Sequence, residues 1–259
     1  MRVLATYNIK GGVGKTSAAV NFAALAAAQG YRTLLWDLDP QGSATYLFRV
    51  KPKVRGGVHK LIERRSDVQE LLKGTDIENL DLLPADFSYR HMDLALGATK
   101  RPEARLGRLI EPLGPDYDLV ILDCPPSISL LSESVFESAD ALLVPLIPAT
   151  LSVRTFEQLL RFVEEQVADP PEIVAFFSMV DRRKRLHREV VDGVGHRYPQ
   201  VATTVIPAAS DVERMGVERR PVVAYAPSGA AGRAYRALWD ETVERLALGP
   251  GPGHRVDPH

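Results

Sequence analysis

The chain has 259 residues, 45% hydrophobic and 25% charged, with a net charge of -1, an ordinary globular composition at a length between one and two domains. Charge so close to balance excludes a globally basic nucleic-acid binder, so a partner of that kind has to meet a local patch. The single cysteine, Cys124, excludes an internal disulfide and a Cys-x-x-Cys metal or redox site, which predicts a reducing, cytoplasmic setting.

The first predicted strand starts at Val3, so no signal peptide is expected. Residues 3–9 are a short β-prone run, and residues 17–29 are rich in helix formers and closed by Gly30 at a C′ position. Between them lies Lys10-Gly11-Gly12-Val13-Gly14-Lys15-Thr16. Strand, glycine loop and helix together predict a phosphate cradle formed by Gly11, Gly12, Val13, Gly14, Lys15, Thr16 and Ser17. Glycines turn backbone N–H groups toward phosphate without a Cβ clash, and the helix N-terminus adds positive charge. Lys15 can reach the β- and γ-phosphates, and the Thr16 hydroxyl can ligate Mg²⁺. The common form of this loop has glycine at position 9, where this chain has Ile9 followed by a second lysine, Lys10. Two ammonium groups five residues apart repel unless a polyanion lies between them. Lys10 therefore either points to solvent or serves a phosphate that Lys15 alone does not satisfy.

Further strands are predicted at 33–39, 80–83, 118–123, 141–146, 173–180 and 202–206, with helical patterns between them, as at 152–167 and 185–198. Most of these strands are apolar throughout, as strands covered on both sides should be. The prediction is a doubly wound, mostly parallel sheet with helices on both faces and ligands at the carboxyl ends of its strands. Residues 1–248 are expected to form one domain, and the Gly/Pro-rich tail 249–259 is expected to be disordered. The most apolar stretch, 139–153, contains Asp140 and two prolines, so no membrane span is expected. Asp37 and Asp39 end one strand two residues apart and project to the same side. Asp123 ends the apolar run 119–122, an arrangement suited to a carboxylate beside Mg²⁺. Each acid taken alone could be a cap or turn residue. No Asn-Lys-x-Asp sequence follows a late strand, so adenine is preferred to guanine.

With KGGVGKTS at 10–17, DLDPQGSAT at 37–45 and YDLVILDCPPSISLL at 117–131, the sequence resembles the ParA/Soj/MinD family of deviant P-loop ATPases over about residues 1–247. DPQG at 39–42, and a tail without a basic amphipathic helix, favour the ParA-like branch over MinD. The resemblance implies an ATP- and Mg²⁺-dependent homodimer in which Lys10 crosses to the partner's phosphates. It also implies that Asp39 orients the attacking water, Asp37 and Asp123 support the metal, Pro207 borders the nucleotide, and residues 124–127 sense the γ-phosphate. Slow hydrolysis, stimulated by a ParB-like or cargo-adaptor protein, would position DNA or another cargo.

Where ParA proteins often carry DNA-binding arginines after the Ile-Pro pair, this chain has Ala208 and Asp211, although Arg236 matches a DNA-facing position. The candidate DNA contacts are Arg182, Arg183 and Arg185 in a basic helix start, together with Arg236. A second basic patch is Arg49, Lys51, Lys53, Arg55, Lys60, Arg64 and Arg65, on a segment whose 49–60 stretch is expected to be a moving loop. An iron–sulfur carrier on this scaffold would need paired cysteines and has only Cys124. A metabolic ligase or kinase, and a regulatory ATPase that binds no DNA, are the remaining alternatives.

Overall fold

A computed structural model describes residues 1–63 and 67–252. Its seven strands are β1 (Arg2–Thr6), β2 (Thr33–Asp37), β3 (Lys73–Gly74), β4 (Leu80–Leu83), β5 (Leu119–Asp123), β6 (Ala141–Leu146) and β7 (Glu172–Phe177). They form one sheet in the order β3-β4-β2-β5-β1-β6-β7, parallel except for β3 at the edge. Every residue of β2, β5 and β6 is buried, because helices cover both sides. Side-chain alternation divides the interior in two: Leu34, Trp36 and Leu122 join Tyr7 and Phe136 on one side, while Leu35 and Ile121 join Phe22 and Trp239 on the other. The alanine-rich helix Lys15–Ala28 is apolar nearly all round and is buried accordingly. Its Phe22 ring lies 5.6 Å from that of Trp239 on the helix Ala230–Arg245.

The register places the site. Thr6 of β1 and Asp37 of β2 both stand level with Asp123 of β5, so two carboxylates meet side by side at the carboxyl edge. Several predicted strands are shorter in the structure, ending at Thr6, Asp37 and Phe177, where the chain turns into site loops. The predicted strand 202–206 is not one: Val201 and Pro207 make isolated bridges to Ala175 of β7 and to Val180 just past it, and the Ala202 and Ile206 N–H groups donate to Ala175 O and Phe177 O at 2.7 and 2.8 Å. Between these points the N–H groups of Thr203 and Thr204 donate to Glu241, at 2.8 and 2.9 Å, rather than to a ladder. The two-residue β3 has too little periodicity to be predicted.

The stretch 49–60, expected as a loose loop, is tied down. Val54 N–H donates to Asp86 Oδ2 and Val58 N–H to Ser88 Oγ, both at 2.8 Å, and a helix begins at Gly57. Arg64 and Arg65 lie outside the described residues. Of the predicted tail, residues 249–252 are described: the Tyr31 hydroxyl donates to Gly249 O, and Gly251 packs so closely on the 29–31 turn that a Cβ would meet Gln29 O at 2.7 Å. Residues 253–259 lie outside the described residues.

Candidate nucleotide site

The loop after β1 is shaped by two glycines in the left-handed region, Gly12 at φ 70° and Gly14 at φ 96°, conformations that a side chain would strain. Gly14 caps the helix Lys15–Ala28 without a side chain, which leaves the first N–H groups of that helix directed at the loop. The Asn8 amide donates to Pro145 O at 2.8 Å, and its oxygen accepts Lys10 N–H at 2.9 Å, fixing the loop to β6. Ser178 Oγ donates to Val13 O at 2.6 Å from the end of β7. The buried Lys15 ammonium donates to Lys10 O at 2.9 Å. Burial pushes its pKa down, and the Asp123 carboxylate opposes that shift.

Asp37 and Asp123 are fully buried. Asp37 Oδ2 accepts Thr45 N–H at 2.8 Å and Thr45 Oγ at 2.7 Å, and Oδ1 accepts Asp39 N–H at 3.2 Å. Burial nonetheless pushes its pKa up to about 6. Asp123 is driven well above the usual carboxylate range, first by burial and then by the neighbouring Asp37 charge, against the opposing influence of the Thr16 hydroxyl and the Lys15 ammonium. Its Oδ1 receives a long hydrogen bond from Thr6 at 3.4 Å, and its Oδ2 has no partner among the described residues. Asp39 is half-buried at the mouth, with Oδ1 accepting Gln41 N–H at 2.9 Å.

Lys15 and Asp39 border a cavity of about 620 Å³, whereas Asp37, Asp123 and the Val13 side chain are buried behind its lining. Gly11, Gly12, Gly14, Lys15, Thr16, Ser17 and Asp39 line it, as does Pro126 from the segment 124–127. Lys10 is half-exposed beside it. Pro207 does not line it; it bridges Val180, next to the lining residue Met179. The sequence reading missed Asn8 and Thr45, which hold the loop and Asp37, and the apolar wall of Tyr46, Leu47, Met179, Val212 and Met215. An asparagine closing an apolar strand is a readable signal for Asn8; the wall residues come from three distant segments and carry no local signal.

The basic candidates lie apart from the cavity. Arg183 pairs with Asp181 at 3.0 Å and Arg185 with Glu189 at 2.6 Å, while the carbonyl of Arg182 accepts a hydrogen bond from Arg188. Arg236 is exposed on Ala230–Arg245. In the other patch, Arg49 pairs with Asp76 at 2.7 Å. No helix among the described residues is long and apolar enough to cross a membrane.

Fold and site together define a nucleotide-binding protein of the phosphate-loop class, with acids at the ends of two strands flanking the loop strand and its neighbour. A family profile described as an AAA domain matches residues 1–170. The sporulation initiation inhibitor protein Soj of Bacillus subtilis is 32% identical over 248 residues, 93% of this chain and 98% of that protein. The chromosome partitioning protein ParA of Caulobacter vibrioides is 34% identical over 254 residues, 95% of each chain. The crystal structure of cobyrinic acid a,c-diamide synthase from Mycobacterium smegmatis, with bound ATP analogue and magnesium, superposes with a TM-score of 0.80 at 30% identity, covering 96% of this chain and 97% of that one. The chain belongs to the ParA/Soj/MinD family of deviant P-loop ATPases, in its ParA-like branch.

Proposed function

We propose that this protein is a Mg²⁺-dependent ATPase that binds ATP in the loop cavity and pairs with a second copy around it. It hydrolyses slowly until a ParB-like or cargo-adaptor protein stimulates it, and the cycle from ATP-bound dimer to monomer positions or segregates DNA or another cargo. The observation that carries this reading is the cluster of Lys15, Thr16, Asp37 and Asp123 at the loop, with one buried Asp123 oxygen unpartnered among the described residues. A desolvated carboxylate oxygen with no hydrogen bond is costly, and a hydrated divalent cation is a fitting counterpart. When bound, Mg²⁺ neutralises charge between phosphate oxygens.

In this reading the Thr16 hydroxyl and Asp123 hold the metal and its waters, and Asp37, whose oxygens already accept three hydrogen bonds, orients them from behind. Lys15 exchanges the Lys10 carbonyl for a phosphate oxygen, and the N–H groups of residues 11–17 cradle the phosphates. Asp39 accepts a proton-bearing hydrogen bond from the attacking water and so aims it. Lys10 reaches across to the partner's phosphates, and Pro207 backs Met179 near the nucleoside. Arg182, Arg183, Arg185 and Arg236 meet nonspecific DNA in the dimer, which works in the cytoplasm and on the nucleoid.

Light scattering and turnover with Mg-ATP test the cycle. Asp39→Ala is expected to bind ATP and dimerise with little hydrolysis, and Lys10→Ala to bind ATP as a monomer. A Lys10→Ala protein that dimerises and turns over normally would sink the cycle. A second reading, an amide-forming ligase, draws on the likeness to cobyrinic acid a,c-diamide synthase. ATPase stimulation by cobyrinic acid with an ammonia donor, and none by DNA, would favour it.

A further inference from the structure

We propose that the Tyr46 ring contacts the nucleoside of the bound nucleotide, and that Arg219 and Arg49 act as positioning residues that hold it there; this rests on the nucleotide reading above. The glycine loop accounts for the phosphate end of the cavity. What remains is an apolar wall of Tyr46, Leu47, Met179, Val212 and Met215, the surroundings a base and ribose require. Tyr46 is 52% exposed although it lines this cavity, so core packing does not explain an aromatic ring there.

How the ring is held is the second observation. Tyr46 lies on the helix Ser43–Leu47, and Val212 and Met215 lie on the helix Ser210–Glu218. Just past each helix stands an arginine in the left-handed region, Arg49 at φ 58° and Arg219 at φ 50°. This conformation is uncommon for residues other than glycine and is kept where the surroundings enforce it. The two arginines reach across reciprocally. Arg219 Nε donates to Tyr46 O at 3.0 Å, and its guanidinium lies 4.4 Å from the centre of the Tyr46 ring. Arg49 donates to Glu218 O at 3.4 Å and pairs with Asp76 at 2.7 Å. Each guanidinium thus satisfies a terminal carbonyl of the other helix and lies at the negative end of its dipole.

The clasp joins the two ends of the site. Its first helix begins at Ser43, directly after Asp39 and Gln41 at the phosphate end, and its second supplies the wall at the nucleoside end. Arg219 stacks on the ring by a cation–π contact, so the wall is formed before a nucleotide arrives and less ordering remains to be done on binding.

Calorimetric titration with Mg-ATP, together with melting of the nucleotide-free protein, tests this in wild type, Tyr46→Ala, Tyr46→Phe and Arg219→Gly. Tyr46→Ala is expected to bind roughly tenfold more weakly, the scale of an aromatic ring against a base. Tyr46→Phe keeps the ring and should match wild type. Arg219→Gly removes the guanidinium while easing the positive φ, so affinity should fall severalfold with no loss of melting temperature. Wild-type affinity in Tyr46→Ala, or an equal loss in Tyr46→Phe, overturns the proposal. So does a Tyr46→Ala loss that comes with a lower nucleotide-free melting temperature while Arg219→Gly binds normally. Failure of the wild type to bind Mg-ATP would instead remove the nucleotide reading itself.

Discussion

The two ends of the sheet treat their carboxylates in opposite ways. At the amino ends the acids are partnered: Asp118 takes Arg32 at 2.7 and 3.0 Å and the Arg32 N–H at 2.9 Å, Asp140 accepts Val3 N–H at 2.6 Å, and Asp81 accepts the Tyr117 hydroxyl at 2.6 Å. At the carboxyl ends Asp37 and Asp123 are buried side by side with no arginine paired to them among the described residues, and one oxygen of Asp123 has no described partner. The Arg32 hydrogen bonds hold Asp118 below the usual carboxylate range, whereas burial lifts Asp37 and Asp123 above it. One fold therefore uses acids to seal one edge and, at the other, buries a pair of them and leaves Asp123 underprovided. Underprovision lowers the stability of the empty protein, and the cation of the proposed function would offset it.

The largest effect expected from breaking this contrast is at the loop. Lys15→Ala removes the one buried ammonium beside the acids, and Thr16→Ala removes the cavity-lining hydroxyl nearest in role to the metal. Each should weaken Mg-ATP binding by on the order of a hundredfold, as loss of a charge-assisted donor in a dry site does. Unchanged affinity in both, measured calorimetrically, would remove the phosphate-loop assignment.

Asp123→Asn sharpens the comparison, because it deletes the underprovided charge and leaves an oxygen for Thr6. Mg-ATP binding should fail while the nucleotide-free protein melts about 2–4 °C higher, the shift that about 1 kcal/mol gives a domain of this size. A lower melting temperature would mean that the charge is already satisfied in the empty protein.

The legible parts of this molecule are those whose chemistry is contiguous in the chain. The loop at 10–16 and the acid-ended strands at 33–37 and 119–123 carry their own signals, and the parallel alternation follows from their apolar runs. The cavity wall was not legible, since Tyr46, Met179 and Val212 come together only through the crossing of separate segments. The failure at 202–206 has a local cause: its sequence is β-prone, but Glu241, about forty positions away, takes the N–H groups that a ladder would use. Pro207, carried over from the family resemblance, stands one bridge behind the wall instead of in it.

The smallest effect is at the sealed edge. Asp118→Asn removes an exposed-side ion pair with Arg32, whose side chain is 49% accessible, so only a modest loss of stability is expected at pH 7, with Mg-ATP affinity unchanged. Its pH dependence carries the information. A carboxyl held below its unfolded value of about 4 contributes stability that is fully present above that pH and is lost as pH falls through the folded value. The gap between wild type and Asp118→Asn should therefore be constant near neutrality and close in acid. Asp37 has the opposite sign: with its pKa raised to about 6, it favours the folded state most below about pH 4 and loses that contribution as pH rises through about 6. Denaturant melts of the nucleotide-free protein from acid to neutral pH separate the two. If the Asp118→Asn gap instead widens in acid, the Arg32 pair is not what seals this edge, and the contrast between the two ends of the sheet fails at its structural half.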